Sequence, residues 1–216
     1  MDNLQKYNSF IFDCDGVILN SNQIKTNAFF EVAKKFGSKH ADKLVNFHIE
    51  NGGISRYKKF MFFLENILEN KEAEYTVEAL CKEFSTIIIK DLINSEVNQE
   101  IFQLKEIYNN NPWLVVSGGD QAELRTVFKS KKIDSLFEGG IYGSPIKKTS
   151  IFMNLLHQGI IKNPSIYFGD SKYDYESSKQ CGIDFCFVSN WTEVKDWNVF
   201  CEKNKIDHIN NFLTLC

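Results

Sequence analysis

The stretch FIFDCDGVILNSN, residues 10–22, drives an apolar run straight into two acids, Asp13 and Asp15, with Cys14 between them. Carboxylates repel each other, and a buried one without a partner is costly. Three apolar residues ending in such a pair read as a buried strand that delivers the acids to the rim of a sheet. Alternate strand residues point oppositely, so Cys14 is read as a small spacer on the other face. Gly16 then allows a turn out of the strand.

Runs of the same kind recur. SFIF (9–12), WLVV (113–116), SIYF (165–168) and FCFV (185–188) are β-branched or aromatic runs of strand length, most of them followed by polar turn residues. Helical patterns lie between them, at about 120–130, 148–157 and 171–181, the last closed by Gly182. Buried strands alternating with helices predict an α/β fold, a doubly wound, Rossmann-like parallel sheet covered on both faces. The segment from about 22 to 95 differs. KTNAFFEVAKKFG, SRYKKFMFFLENILEN and TVEALCKEFSTIIIKDLI have helical periodicity with no strand between them. They predict an inserted all-α cap over residues 21–95, with the catalytic core formed by 1–20 and 96–216. The tail, KIDHINNFLTL, reads as a short strand and a closing helix.

Composition narrows the function classes. The chain has 216 residues, enough for one core plus a small insertion. Its net charge of −3 argues against nucleic acid or an anionic membrane as partner. Apolar runs fall well short of the roughly 20 residues a membrane helix needs, and MDNLQKYNSF lacks the pattern of a signal peptide. The six cysteines form no CxxC pair and have no histidine at zinc spacing, so free thiols in a reducing cytoplasm are expected. Lysine and arginine total 25, of which only Arg56 and Arg125 are arginine.

In an open parallel sheet, ligands bind beyond the carboxyl ends of the strands. Those ends carry Asp13 and Asp15, then Ser117-Gly118-Gly119, then Gly169-Asp170-Ser171 with Asp174 close behind, and Lys147-Lys148 opens a further helix. Singly, each has a plainer reading: Asp170 as a helix cap, Ser-Gly-Gly as a turn, the lysines as solvated. Together they supply carboxylates, a hydroxyl with backbone donors, and a cation. Oxygen ligands favour Mg²⁺, which bridges readily to phosphate; zinc would call for Cys or His. An aspartate attacking a phosphate dianion meets repulsion of roughly 4 kcal/mol per pair of unit charges at 4 Å and an effective dielectric near 20. A metal and a lysine offset it, Ser and Gly donors hold the phosphoryl oxygens, and a second acid two residues on handles the proton.

In chain order, DCDGV, VVSGG, the lysine of GSPIKK, and GDSKYD resemble the four motifs of the haloacid dehalogenase superfamily. The helical insertion resembles the cap of its phosphoglycolate phosphatase and β-phosphoglucomutase branch. The resemblance implies Asp13 as nucleophile and Asp15 as general acid/base. It implies Ser117 and the Gly118 backbone as phosphate binders, joined by Lys148 with Lys147 as the alternative. Mg²⁺ would be held by Asp13, the Asp15 backbone carbonyl and Asp170, with Asp174 supporting the site. Dehalogenases and phosphonatases of the superfamily lack an acid at the position of Asp15, so its presence favours phosphoester chemistry. NGGISRYKKF (51–60) resembles the GxSR cap loop of β-phosphoglucomutase. Gly53 and Arg56, with Lys59 or His48 beside them, would meet the distal end of the substrate; the plainer reading is a loop, a Ser55 N-cap and an exposed Arg56. Arg125, far from any motif, is read as structural or surface.

The function expected is a Mg²⁺-dependent phosphatase for a small phosphorylated metabolite, monomeric or homodimeric, acting through an aspartyl-phosphate. The alternatives are a β-phosphoglucomutase-like phosphotransferase and a non-catalytic regulatory module on the same fold.

Overall fold

The structure, a computed structural model, describes residues 4–68 and 75–215. Glu69 and Asn70, which end the predicted helix SRYKKFMFFLENILEN, and Cys216 lie outside them.

Strand β1 (Ser9–Phe12) is buried along its whole length. Among the described residues, four helices form the insertion after β1: α1 (Asn22–Ala33), α2 (Ser38–Glu50), α3 (Arg56–Phe62, running on into a π-turn at Phe63–Ile67) and α4 (Val77–Asn94). After α5 (Glu100–Ile107) the chain alternates strictly: β2 (Trp113–Asp120), α6 (Gln121–Ser130), β3 (Gly140–Ser144), α7 (Lys148–His157), β4 (Ser165–Gly169), α8 (Lys172–Gln180), β5 (Asp184–Val188), α9 (Trp197–Asn204) and β6 (Asp207–Ile209). The six strands are parallel in the order β3-β2-β1-β4-β5-β6. The winding direction reverses between β1 and β4, which puts the crevice of the fold beside Asp13 and Asp170.

Alternation along β1 explains why both faces are covered. Phe10 and Phe12 point to one side, packing with Trp113 and Phe168. Ile11 points to the other, joining Leu114, Val116, Tyr167 and the buried face of α7. The first apolar cluster continues without a break into the inserted helices, through Phe29, Phe60, Phe84 and Ile88. The two chain passages between sheet and insertion run side by side: Leu19 pairs with Val97, and Asn20 N–H donates to Glu96 O at 3.0 Å.

Some expectations change. β2 extends past its apolar run through Ser117-Gly118-Gly119 to Asp120, with a register irregularity against β3. β3 was not predicted: GIYGS has glycine at two of five positions and lies at the sheet edge. Nor was α9, which buries only Cys201 and so has little apolar periodicity. The closing helix is a short 3₁₀ turn, Phe212–Leu215. Gly182 closes α8 with a φ of 68°, as read from sequence. Among the described residues no helix is long and apolar enough to cross a membrane.

Candidate active site

Hydrogen bonding at the end of β1 fixes the first acid. Asp13 N–H continues the ladder to Phe168 O at 2.8 Å, and its own Oδ1 accepts from Cys14 N–H at 2.8 Å. Gly16 turns the chain with a φ of 75°; a Cβ there would lie 2.0 Å from Asp170 Oδ2, so only glycine fits. At the end of β4, Asp170 accepts from Asn22 Nδ2 at 2.7 Å, and its carbonyl accepts from Thr192 Oγ1 at 2.6 Å. Asp174 stands at the third position of α8, where its Oδ2 accepts from Ser171 N–H (3.2 Å) and Oγ (2.7 Å). The same capping box that starts the helix therefore aims Asp174 back at the strand ends.

Of the lysine pair, Lys147 is exposed and Lys148 turns inward. Lys148 Nζ lies 3.0 Å from Asp13 Oδ2, pairs with Asp174 Oδ1, and donates to Tyr167 Oη at 3.0 Å. The Tyr167 hydroxyl in turn sits 2.8 Å from Val116 O and 3.0 Å from Asp174 Oδ1.

Asp13, Asp170 and Asp174 each offer a carboxylate oxygen within 4.8 Å of the others, and all three are buried. Three carboxyl groups share one ammonium, a surplus of two acids over cations. Burial pushes Asp13 up to about 7 even against Lys148, with Asp174 adding to the rise. Burial likewise raises Asp170 well above the usual carboxylate range, and Asp174 and Asp13 add to it. An all-oxygen set whose acids are held from ionising for want of positive charge fits a hard divalent cation.

Asp15 has a different environment. Its side chain lies outside the triad, accepting from Ser21 Oγ at 2.6 Å and pairing with Lys25 Nζ at 2.5 Å. Burial acts to raise it, but the Lys25 ammonium prevails and holds it below the ordinary range. Ser117 Oγ is buried and accepts from Gly119 N–H at 3.1 Å.

The inserted helices roof these strand ends. The loop before α3 comes down so closely that a Cβ on Gly118 would lie 2.3 Å from Gly53 O, and one on Gly53 would lie 2.5 Å from Ser171 Oγ. Beneath it is a cleft. Asp13, Asp15, Gly118 and Asp170 line it from the sheet, and Lys25, His48, Gly53, Arg56 and Lys59 from the insertion.

Residues 10–188 match the family model of the haloacid dehalogenase-like hydrolases. The chain belongs to that family. It is a hydrolase of the α/β type with a helical insertion after the first strand. No curated protein matches it in sequence. Solved structures share its fold at low identity. A haloacid dehalogenase-like hydrolase from Streptococcus pneumoniae superposes with a TM-score of 0.71 at 18% identity, covering 98% of each chain. A proposed phosphoglycolate phosphatase from Lactobacillus plantarum gives 0.72 at 16% identity, again over 98% of each. CbbY from Rhodobacter sphaeroides, solved with phosphate, gives 0.65 at 12% identity, over 84% of this chain and 86% of its own.

Within this hydrolase the expected residues divide into two groups. Asp13, Asp170 and Asp174 bring carboxylate oxygens within 4.8 Å of one another and Lys148 pairs with Asp13 and Asp174, while Asp15, Gly118 and Gly53 line the cleft beside them. Arg56 was expected to face either the substrate or solvent. Ser55 does cap α3, but Arg56 is buried, with Nη2 donating to Glu123 Oε2 at 3.0 Å and Nη1 to Ser85 Oγ at 3.1 Å. It lines the cleft with its fork already engaged. Arg125 donates from Nε to Ile141 O at 3.1 Å, a structural role. Sequence reading missed Asn22, Lys25, Tyr167 and Glu193. Lys25 alone left a signal: it lies in the first turns of a helix that starts beside Asp15, where a lysine can reach back to an acid.

Proposed function

We propose that this hydrolase is a Mg²⁺-dependent phosphomonoesterase for a small phosphorylated metabolite, working through an aspartyl-phosphate on Asp13. The observation that carries this reading is the buried cluster of Asp13, Asp170 and Asp174 against Lys148 at the strand ends, with a second acid, Asp15, beside it. Asp13 sits in the metal-type triad against Lys148, while Asp15 sits outside it against Lys25. Lys25 favours the carboxylate form of Asp15 in the ligand-free protein, so the acid role of Asp15 requires that ion pair to loosen.

Asp13 Oδ attacks phosphorus and the bond to the leaving oxygen breaks; Asp15, which first takes a proton from solvent as its Lys25 pair loosens, delivers that proton to the leaving oxygen. Asp15, now a carboxylate, takes a proton from water; the water oxygen attacks phosphorus and the bond to Asp13 breaks, releasing inorganic phosphate. Lys148, Ser117 Oγ and the backbone around Gly118 hold the phosphoryl oxygens. Asp13, the Asp15 carbonyl and Asp170 would hold Mg²⁺, with Asp174 supporting from behind, since both its oxygens are engaged by Lys148, Tyr167 and Ser171. When bound, the ion supplies positive charge that lets an anionic nucleophile approach an anionic substrate. The insertion, 21–95, acts as a cap whose two linkers cross at Leu19 and Val97. Gly53 and Arg56 line the cleft from the cap side, and solvent is kept out while the cap is shut.

Phosphotransfer of the β-phosphoglucomutase type uses the same nucleophile. Ser171 speaks for hydrolysis, because the residue after Asp170 serves as a helix cap rather than as a second acid. A panel of phosphorylated metabolites with Mg²⁺ separates the two. Free phosphate is expected; an isomeric phosphate without phosphate release rejects hydrolysis, and inertness toward every member rejects both.

A further inference from the structure

At the cap end of the cleft, one cation lacks a direct counter-charge. Lys59 is 2% exposed and lines the cleft. Its Nζ lies 2.5 Å from His48 Nδ1, 3.4 Å from His48 O and 5.4 Å from the centre of the Phe29 ring, all uncharged partners. Among the described residues it makes no ion pair within 4.0 Å, unlike Lys25, Arg56 and Lys148.

With Glu193 ionised and Lys59 charged, the bonds around Lys59 run in one direction. Thr26 Oγ1 donates to Glu193, 3.0 Å from either carboxylate oxygen. Its oxygen can then only accept from His48 Nε2 at 3.0 Å, so that nitrogen carries the ring proton. His48 Nδ1 is left as an acceptor and takes a proton of Lys59. Burial, with the Lys59 cation adding to it, keeps His48 neutral in that role. Glu193 thus anchors the far end of a relay that orients Lys59 without neutralising it. Burial holds Lys59 down to about 7, with the Lys25 cation contributing, as expected of an ammonium awaiting an anion.

We infer that Lys59, oriented by His48, Thr26 and Glu193, seats a second anionic oxygen group of the substrate, while Arg56 is spent on Glu123 and serves the closed cap. The preferred substrates are then phosphomonoesters that also carry a carboxylate or a second phosphate. This assignment rests on the phosphomonoester reading of the same cleft.

A matched ligand pair tests it. 2-Phosphoglycolate and ethyl phosphate share the phosphoester and differ in the distal carboxylate. Calorimetric Kd values on the Asp13→Asn protein exclude turnover. 2-Phosphoglycolate is expected to bind about ten-fold tighter or more, the range of a charge-assisted hydrogen bond. Lys59→Met should bring the ratio to about one and leave ethyl phosphate within about two-fold, while Lys59→Arg keeps a preference. In active protein the loss should fall on KM for 2-phosphoglycolate, not on kcat. A ratio near one in the Lys59-containing protein, which needs no cap variant to fold, overturns the inference. So does a Lys59→Met protein that weakens both ligands equally. Failure of the parent reading looks different: no phosphomonoester is hydrolysed, whatever the Kd ratio. A bisphosphate against its monophosphate then shows whether the seat prefers carboxylate or phosphate.

Discussion

Lys148 is buried against two acids, and its removal would leave Asp13 and Asp174 without their cation. Breaking a buried pair from one side costs roughly 3–5 kcal/mol. Lys148→Met should lower the urea-unfolding free energy of metal-free protein by about that amount; an unchanged midpoint would show that the cluster is already compensated. Lys59 makes the opposite prediction. Its folded pKa, about 7, lies below the ordinary 10.5. Between those values the unfolded chain binds the extra proton, so this residue makes stability rise with pH, by at most about 1.4 kcal/mol per unit. In ligand-free protein, Lys59→Met should therefore gain stability at pH 7 relative to the parent and lose that advantage by pH 10; a pH-independent difference contradicts the assignment. At this scale the acids were legible because each follows an apolar run, and strand ends converge in a parallel sheet. Lys25, Tyr167 and Glu193 were not. Tyr167 reads as a core aromatic, and its hydroxyl gains meaning only because Lys148, 19 residues earlier, arrives beside it. Glu193 meets Thr26 across 167 residues.

Two side-chain bonds tie α3 of the insertion to the core, one to α6 and one to Asp120 at the end of β2. Arg56 bonds Glu123, and Tyr57 Oη lies 3.1 Å from Asp120 Oδ2. With both members of the first pair buried, a double-mutant cycle of Arg56→Ala and Glu123→Ala should give a coupling of about 2 kcal/mol in urea unfolding; additive losses would mean the pair does not hold the elements together. Gly118→Ala places a methyl group against the Gly53 carbonyl. Closure should suffer more than stability, with kcat/KM falling about ten-fold or more and little change in thermal midpoint. Unaltered turnover would show that the loop is not pressed on the strand end during catalysis. Legibility of elements follows burial. β1, β4, β5 and α7 carry strong periodicity because both faces of the sheet are covered. The edge strand β3 is half glycine and polar, and α9 is mostly exposed, so neither imposes a pattern on its residues.

For the whole molecule, the insertion after β1 and the reversal of winding between β1 and β4 bring one cleft over one set of strand ends. The insertion and the doubly wound sheet were legible from the order of patterns along the chain; the strand order, and with it the place of the reversal, was not. The pairing of Arg56 with Glu123 was not, since it depends on how the insertion docks. The surplus of acids over cations in the Asp13–Asp170–Asp174 triad predicts that Mg²⁺ stabilises the folded state, by about 2.7 kcal/mol at a hundred times its Kd. Asp170→Asn should abolish that gain, and EDTA should abolish turnover; activity that survives chelation removes the metal from the account. The central claim is that Asp13 forms the bond to phosphorus. Phosphate release from p-nitrophenyl phosphate with Mg²⁺, compared between the parent protein and a folded Asp13→Asn variant, tests it most directly. The account predicts a fall of at least about a thousand-fold with an unchanged circular-dichroism spectrum; an Asp13→Asn protein that keeps its activity in a clean preparation would contradict it.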